Sequence, residues 1–328
     1  MKYMNLQLFA WSEGNAGSPS VNPINVTTQD SLSPTMKTFY DTTLLENARE
    51  QMVFTQFGKK QPLKGNEVEW RKFNTFAKAL TPLTEGVIPT GQNFGMTSIK
   101  ATTTQHGDYT AVSDRLELES FDDVIFGATE EMGAAEGETY DTLTRNSLVA
   151  GNSVAYAGGK TSRSALTNAD VMTPALANKA ATWLKKNKAP KIDGCYVALI
   201  HPSVAHDLRE SDEWKEFHKY NAVDPIFKGE IGMMHGVRFV ETNNAKVWKD
   251  GANATYATLF LGKDAFGILD PQGEGMEMIV KTKGQIGGPL EQFSTIGYKF
   301  CHGAKILYQE RMLRVETGSS FGAEDEAN

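Results

Sequence analysis

The spacing of hydrophobic and polar positions changes along the chain, and the first change follows a long polar stretch. Residues 1–35 are rich in turn-forming residues, including Pro19, Pro23 and Pro34. We expect an extended arm with no core of its own, because the stretch has little apolar surface to bury. Residues 36–57 then place apolar side chains at helical spacing and predict a helix.

A long excursion comes next, between two stretches with strand-like alternation. Val68 and Trp70, and more loosely Phe73, mark the first strand, while Tyr109, Ala111 and Val112 belong to the second. The residues between them are rich in proline and glycine and poor in apolar side chains. Loops longer than about 12–15 residues are uncommon in compact domains. One reason for such a loop is that it packs on another molecule.

A long helix is predicted after Ser120, which can cap its N-terminus. Apolar residues form a stripe along it, and the helix is predicted to end near residues 158–159. Gly127, Gly133 and Gly137 each weaken a helix by about 1 kcal/mol. We expect that these glycines allow another backbone to approach closely, so that the helix packs tightly against a sheet.

The pattern becomes α/β from Thr173 onward. Thr173 and Pro174 are typical of a helix start, and a second helix is predicted to begin at Pro202. The continuous apolar run CYVALIH predicts a strand that is buried on both faces. Further strands are predicted for GVRFVET, ATYATLFLG and MEMIVKT, and residues 294–319 predict two long strands or one bent strand.

Composition narrows the function classes. The 328 residues include 40% hydrophobic and 22% charged residues, which suits a folded protein, and the net charge of −7 argues against a protein that grips nucleic-acid phosphates. Cys195 and Cys301 lie in apolar runs and are predicted to be buried thiols. The sequence predicts neither a transmembrane helix nor a cleaved secretory signal.

Motifs for catalysis, metal binding or nucleotide binding are weak. Gly229, Gly232 and Gly236 precede a strand instead of joining a strand to a helix, so they predict a turn and not a phosphate-binding loop. His201 and His206 are five residues apart, a poor spacing for two metal ligands on one helical face. Cys195 has no implied catalytic partner, and a core thiol is the favoured interpretation.

The order of segments, together with four motifs, resembles the major capsid proteins of tailed bacteriophages and, more closely, the phage-N4-like subfamily. The motifs are MNLQLFA (4–10), CYVALIHPSVAHDLRESDEW (195–214), FKGEIGMMHGVRFVET (227–242) and STIGYKFCHGAKILYQERMLRVETGSS (294–320). The resemblance covers nearly the whole chain. It implies an α+β fold of the tailed-phage major capsid type.

This resemblance implies a division of the chain into named parts. Residues 1–35 form the N-terminal arm, 36–59 an N-terminal helix, 60–119 the E-loop (a long β-hairpin excursion), 120–164 and 291–318 the P-domain with its spine helix and long strands, 165–290 an α/β A-domain, and 319–328 a flexible acidic tail. Within the P-domain, the spine helix is expected over about residues 121–157.

The resemblance also implies a function without catalysis, metal or cofactor. Copies of the chain are expected to assemble as hexamers and pentamers into an icosahedral head around double-stranded DNA. Assembly is expected in the cytoplasm of the bacterial host, and the mature location is the virion of a phage or prophage. Expected partners are the portal, a separate scaffolding protein if any, and packaged DNA through weak non-specific contacts. A decoration protein is a further candidate, and no membrane is involved.

For the contacts between subunits, the hypothesis names six residues of the E-loop. Three are charged groups at its base and three lie at its tip: Glu67, Glu69, Arg71, Thr81, Pro82 and Phe94. Two other function classes stay open from the residues alone. One is a soluble α/β enzyme with an unrecognised nucleotide or metal site, and the other is a binding module displayed on a larger assembly.

Overall fold

The structure is a computed structural model that describes residues 24–26, 52–63, 65–119, 124–220, 230–251, 253–271, 275–282, 285, 290 and 292–328. The predicted arm and the predicted helix over 36–57 lie mostly outside these residues. Of the arm, Ile24–Val26 forms a short strand, and of the helix, Phe54–Phe57 forms a 3-10 turn.

Five α-helices are described: α1 (Asp114–Glu119), α2 (Val124–Val149), α3 (Pro174–Lys186), α4 (Pro202–Glu210) and α5 (Asp212–Tyr220). The described strands are β1 (Ile24–Val26), β2 (Lys59–Leu63), β3 (Glu67–Phe73), β4 (Met96–Thr102), β5 (Thr104–Ser113), β6 (Val154–Tyr156), β7 (Tyr196–Ile200), β8 (Glu230–Met234), β9 (Val237–Glu241), β10 (Val247–Asp250), β11 (Asn253–Leu261), β12 (Phe266–Pro271), β13 (Glu277–Lys281), β14 (Phe293–His302), β15 (Ala304–Ile306) and β16 (Met312–Thr317). The mixture of helices and sheets agrees with the predicted α+β class.

Contacts divide the chain into two compact units. Unit 1 comprises residues 1–45, 107–133 and 277–299, and unit 2 comprises 46–106, 134–276 and 300–328. Unit 1 contains a four-stranded sheet in the order β1-β5-β14-β13. Its small core includes Val112, Met278 and Ile296, which pack with the first turns of α2.

Unit 2 is built on a seven-stranded sheet in which β6-β16-β11-β7-β9-β8 form the main path and β10 pairs with β11. All five residues of β7 are buried. Ala198 and Ile200 belong to one core cluster, together with residues of α3 and α4. Val197 and Leu199 belong to another, together with Phe54 and the C-terminal end of α2. Because side chains alternate across a strand, this two-sided packing explains the unbroken apolar run, and it confirms the predicted buried strand.

Several local predictions from the α/β part are confirmed. Helix α3 begins at Pro174, and the Thr173 hydroxyl accepts a hydrogen bond from the Leu176 N–H at 3.3 Å. The two residues between β8 and β9 have left-handed backbone angles, with φ of 53° at His235 and 78° at Gly236. The tight two-residue turns that connect the strands of a hairpin require such angles. Gly236 therefore belongs to a turn, as the sequence predicts, whereas Gly232 lies within β8 and Gly229 lies outside the described residues.

The long helix is shorter than predicted. It ends at Val149, and Val154–Tyr156 is a strand parallel to β16, so the expected end near residues 158–159 is wrong. At this end, the guanidinium of Arg314 donates to the carbonyl oxygens of Val149 and Gly151. A cation at these last carbonyls satisfies acceptors that the helix leaves unpaired.

Three smaller predictions need correction. Around Gly127 the space for a side chain is open, so this glycine does not serve a close backbone approach. The predicted helix from Pro202 is broken at Ser211 into α4 and α5. Cys195 and Cys301 form no disulfide, but both are half-buried and not fully buried. The Cys195 thiol lies 3.3 Å from the sulfur of Met233.

Candidate subunit interface

The hairpin of β3 and β4 leaves the body of unit 2 from an anchored base. The two strands pair antiparallel from Glu67 opposite Thr102 to Phe73 opposite Met96. The strand that pairs with β3 is thus β4, whereas the predicted partner around Ala111 is part of β5 and pairs elsewhere. This difference shortens the excursion to residues 74–95.

Trp70 fixes the base of the hairpin. Its indole lies against Gly267, where an added Cβ would come within 2.8 Å of the ring. Val68 and Trp70 pack beside a small cluster of buried residues that includes Leu63, Ala101 and Leu269. Phe73, the last residue of β3, lies on the opposite face of the strand from Trp70 and is 60% exposed.

The loop of residues 74–95 is held together by its own hydrogen bonds. The Asn74 N–H donates to the Gly95 carbonyl at 2.9 Å. The Gln92 side chain accepts from the Ala77 N–H at 2.8 Å and donates to the Ala77 carbonyl at 2.9 Å. These links tie the two sides of the loop together, so its conformation does not depend on a hydrophobic core.

Large apolar side chains are exposed throughout this loop and at the ends of its strands. We call them the apolar loop surface; their exposure ranges from 52% to 94%, and they are Phe73, Phe76, Leu80, Leu83, Val87, Ile88, Phe94 and Met96. Among the described residues, the other large apolar side chains with comparable exposure are Tyr109, Phe126 and Leu290. A concentration of exposed large apolar side chains in one segment is typical of a site that binds another macromolecule.

Three aromatic rings form the part of this surface nearest the strands. The ring of Phe94 lies 4.9 Å from that of Phe73 and 5.8 Å from that of Phe76, measured between centroids. These distances are in the range of favourable aromatic pairs. The rings therefore support one another in a fixed arrangement while their outer faces remain in solvent, which preorganises them for a partner.

The three predicted charged residues lie on one exposed face of β3. Glu67 is 3.7 Å from Lys100 of β4, and Glu69 is 3.9 Å from Arg71. Each group is well exposed, and exposed ion pairs of this kind contribute about 0–1 kcal/mol. This charged face is available for polar contacts, but it contributes little to the fold.

The predicted tip residues Thr81, Pro82 and Phe94 lie in the loop, and all three are exposed. Sequence reasoning missed the neighbouring apolar residues, above all Phe76 and Ile88. Their signal was present, since apolar residues recur among prolines and glycines with no strand or helix periodicity. Without a periodic pattern there is no buried face to assign them to.

A polar cluster outside the hairpin contains a serine, a histidine and an aspartate, the residue types of a hydrolase active site. The Ser203 hydroxyl donates to Asp325 at 2.5 Å, and the Tyr256 hydroxyl donates to the same carboxylate at 2.6 Å. His201 Nδ1 accepts from the backbone N–H of Ser203 at 3.3 Å and so caps α4. The serine hydroxyl faces the carboxylate and the histidine is used as a cap, so the nucleophile–base pair of a hydrolase is not formed.

These contacts also correct the predicted flexible tail over residues 319–328. Burial raises the pKa of Asp325, but the hydrogen bonds from Ser203 and Tyr256, together with the charges of His201 and Lys249, outweigh it and hold the pKa below its ordinary value. The Asn328 side chain bonds the backbone of Val247 and Ala245. The end of the chain is docked on the α/β part of unit 2.

Other candidate chemistry finds no structural support in the described residues. Within them, no group of three or more His, Cys, Asp or Glu side chains could hold a metal ion. No helix of the described ranges is both long enough and apolar enough to cross a bilayer. His235, inside the glycine-containing motif, occupies a turn position.

Comparisons with known proteins agree with this architecture. A family model described as phage capsid protein matches residues 94–269, more than half of the chain. No curated protein sequence matches the chain.

Solved capsid structures share the fold. The capsid of Ralstonia phage GP4 has a TM-score of 0.63 at 16% identity, covering 99% of this chain and 98% of that chain. The capsid of cyanophage Pam1 has a TM-score of 0.64 at 11% identity, with 96% and 100% covered. For cyanophage P-SCSP1u, the TM-score is 0.62 at 15% identity, with 82% and 89% covered.

Proposed function

The chain belongs to the phage capsid protein family, and from this premise we propose how its copies join into a shell. It is a structural major capsid protein of a tailed phage and not an enzyme, and it is a component of the virion. We propose that the apolar loop surface is its principal contact with neighbouring copies. The finer assignment to the phage-N4-like subfamily is likewise a proposal, supported by the four sequence motifs.

One observation carries this proposal. Eight of the eleven strongly exposed large apolar side chains in the described residues lie between Phe73 and Met96. Full burial of one such side chain is favourable by about 1.5–3 kcal/mol. A neighbour that covers several of them would gain a substantial contact from every subunit. In a closed symmetric shell, such contacts repeat around each copy and reinforce one another.

The charged base of the hairpin has a different part in the proposal. Glu67, Glu69 and Arg71 are exposed and weakly paired within the chain. Charged groups at the edge of an interface favour correct orientation and faster association more than they add affinity. We therefore assign orientation to this charged face, and affinity to the loop residues around Thr81, Pro82 and Phe94.

The proposal extends to the parts of the chain and to its partners. Residues 60–119 act as the E-loop, 120–164 with 291–318 as the P-domain, and 165–290 as the A-domain. The copies form hexamers and pentamers around double-stranded DNA. The net charge of −7 is consistent with weak contacts to the packaged DNA. The portal, a separate scaffolding protein and a decoration protein are proposed partners by resemblance.

Deletion of residues 80–94 tests the loop assignment. We expect assembly to be lost while the subunit keeps its fold, because this loop has its own hydrogen bonds and contributes no residue to the buried clusters. A matched variant replaces the same residues with a Gly/Ser segment of equal length and separates loop length from apolar content. Electron microscopy and circular dichroism provide the two readouts. Normal shells from both folded variants would refute the proposal.

A further inference from the structure

Along β3 of the hairpin, packed residues give way to exposed residues at one position. Trp70 is packed against Gly267 at the base. From Phe73 to Phe94, by contrast, every residue is exposed. Lys72 stands at the boundary, because it is the last half-buried residue of β3 before the exposed stretch. Its contacts therefore govern how the loop leaves unit 2.

Lys72 reaches a cluster at the far end of the sequence. Its Nζ donates to both carboxylate oxygens of Glu310, at 3.4 and 3.2 Å. The same Nζ lies 4.6 Å from the centroid of the Tyr308 ring, and the guanidinium carbon of Arg311 lies 3.8 Å from that centroid. Lys72 thus combines a charge-assisted hydrogen bond with a cation–π contact on one aromatic ring.

The cluster is itself held by backbone contacts. The Tyr308 N–H donates to the Ala265 carbonyl at 3.1 Å, and the Arg311 carbonyl accepts from the Gly262 N–H at 2.8 Å. The Arg311 guanidinium also donates to the Lys263 carbonyl at 3.2 Å. The backbone that carries Tyr308 and Arg311 is therefore held in place, while the lysine side chain is the adjustable member.

We propose that the contacts of Lys72 with Tyr308 and Glu310, here called the Lys72 clamp, are a positioning device that sets the direction in which the apolar loop surface leaves the subunit, and thereby the curvature of the assembled shell. This inference rests on the proposed function of the loop. It assigns to Lys72 a role that is separate from contact with the neighbour.

The position of the clamp is important because a small rotation at the base of the hairpin displaces its tip by a larger distance. Residues 74–95 form an excursion of about eleven residues outward, which reaches at most about 35 Å from the base, the length of a fully extended chain at about 3.3 Å per residue. A rotation of about 10° at the base then moves the tip by up to about 6 Å. That distance is larger than a side-chain contact, so a small change at the clamp determines which surface of a neighbour the loop meets.

The clamp is also adjustable. Lys72 and Glu310 keep 33% and 58% of their side-chain surface exposed, and exposed ion pairs contribute little to stability. A closed shell built from hexamers and pentamers places the same chain in environments that are not identical. A weak clamp at the base can shift between such environments, whereas the Trp70 contact keeps the hairpin attached.

Charge reversal tests the clamp. Lys72→Glu and Glu310→Lys each place like charges together, and the double variant restores an opposite pair in swapped positions. Lys179→Glu, on the exposed face of α3, is the matched control because it makes the same charge change outside the loop. Particle diameters are measured by cryo-electron microscopy, and the melting temperature of unassembled subunits is measured in parallel.

We expect each single variant to broaden the distribution of particle diameters at least twofold, or to give tubes and open sheets. The double variant should return the distribution towards that of the unmodified protein, with melting temperatures unchanged throughout. The inference fails if the single variants give the normal diameter distribution, or if the double variant is no better than either single. Because the proposed function is tested by the loop deletion, normal shells from Lys72→Glu with lost assembly in the deletion would refute the clamp alone.

Discussion

The buried strand β7 and the loop of residues 74–95 use apolar side chains in opposite ways. Val197 and Leu199 are fully buried between layers of unit 2. Leu80 and Ile88 in the loop are 84% and 94% exposed. Apolar side chains stabilise the subunit by burial in β7, whereas those of the loop remain exposed to solvent. The difference indicates that the fold is complete without the loop, and that the loop is completed by another molecule.

The strongest way to break this comparison is to truncate one phenylalanine of the core, in β11 next to β7, and one phenylalanine of the loop. Phe260→Ala removes a fully buried ring from the core, and we expect a loss of about 3–5 kcal/mol in the free energy of unfolding. Phe76→Ala removes a ring that is 53% exposed, and its effect should stay within about 0.5 kcal/mol. Denaturant unfolding of unassembled subunits measures both. Similar losses from the two variants would contradict the division of roles.

Helix α2 carries a buried glutamate whose ionisation affects the stability of the subunit. Glu136 is fully buried, and neither carboxylate oxygen has a hydrogen-bond partner in the described part of the chain. Burial raises its pKa from 4.5 to about 7. A raised carboxyl pKa favours the folded state below pH 4.5, and this contribution is lost as the pH rises through 7.

Glu136→Gln should therefore stabilise the subunit most above pH 7, by up to about 3 kcal/mol, and have little effect near pH 4. Glu131→Gln on the exposed face of the same helix is the matched control. Unfolding free energies at pH 4, 6 and 8 give the comparison. A gain that does not depend on pH would show that ionisation of Glu136 is not the cause.

The docked end of the chain gives a smaller effect. Asp325→Ala leaves the hydroxyls of Ser203 and Tyr256 without their acceptor, and we expect a loss of about 1–2 kcal/mol. Its pKa is depressed in the fold, so the contribution of the carboxylate is present above pH 3.8 and is lost as the pH falls further. Glu324→Ala, at an exposed neighbour, should be nearly neutral. Equal effects of the two substitutions would argue that the tail is not docked through Asp325.

Local signals predicted the elements that are determined by neighbouring residues. The buried strand β7, the start of α3 at Pro174 and the turn at His235 each depend on a short stretch of sequence. The Val149 carbonyl at the end of α2 is capped by Arg314, which is 165 residues further along the chain. No local pattern contains that contact, and the predicted helix was too long.

The candidate site shows the same limit. The proline- and glycine-rich stretch predicted an excursion and correctly placed Phe94 in it. The aromatic group of Phe73, Phe76 and Phe94 depends on the register of β3 with β4, which brings distant positions together. Lys72 was missed for a similar reason, because its partners Tyr308 and Glu310 lie at the other end of the chain. Whether the six predicted interface residues touch a neighbour remains a prediction.

The central claim is that the aromatic rings of the loop join subunits and do not hold the fold. Sedimentation velocity of the triple variant Phe73→Ser, Phe76→Ser and Phe94→Ser, with thermal unfolding of the same sample, tests it most directly. The account predicts unassembled subunits with an unchanged melting temperature, while the control Lys78→Gln assembles normally. Shells formed by the triple variant at the same protein concentration as the unmodified chain would contradict the account.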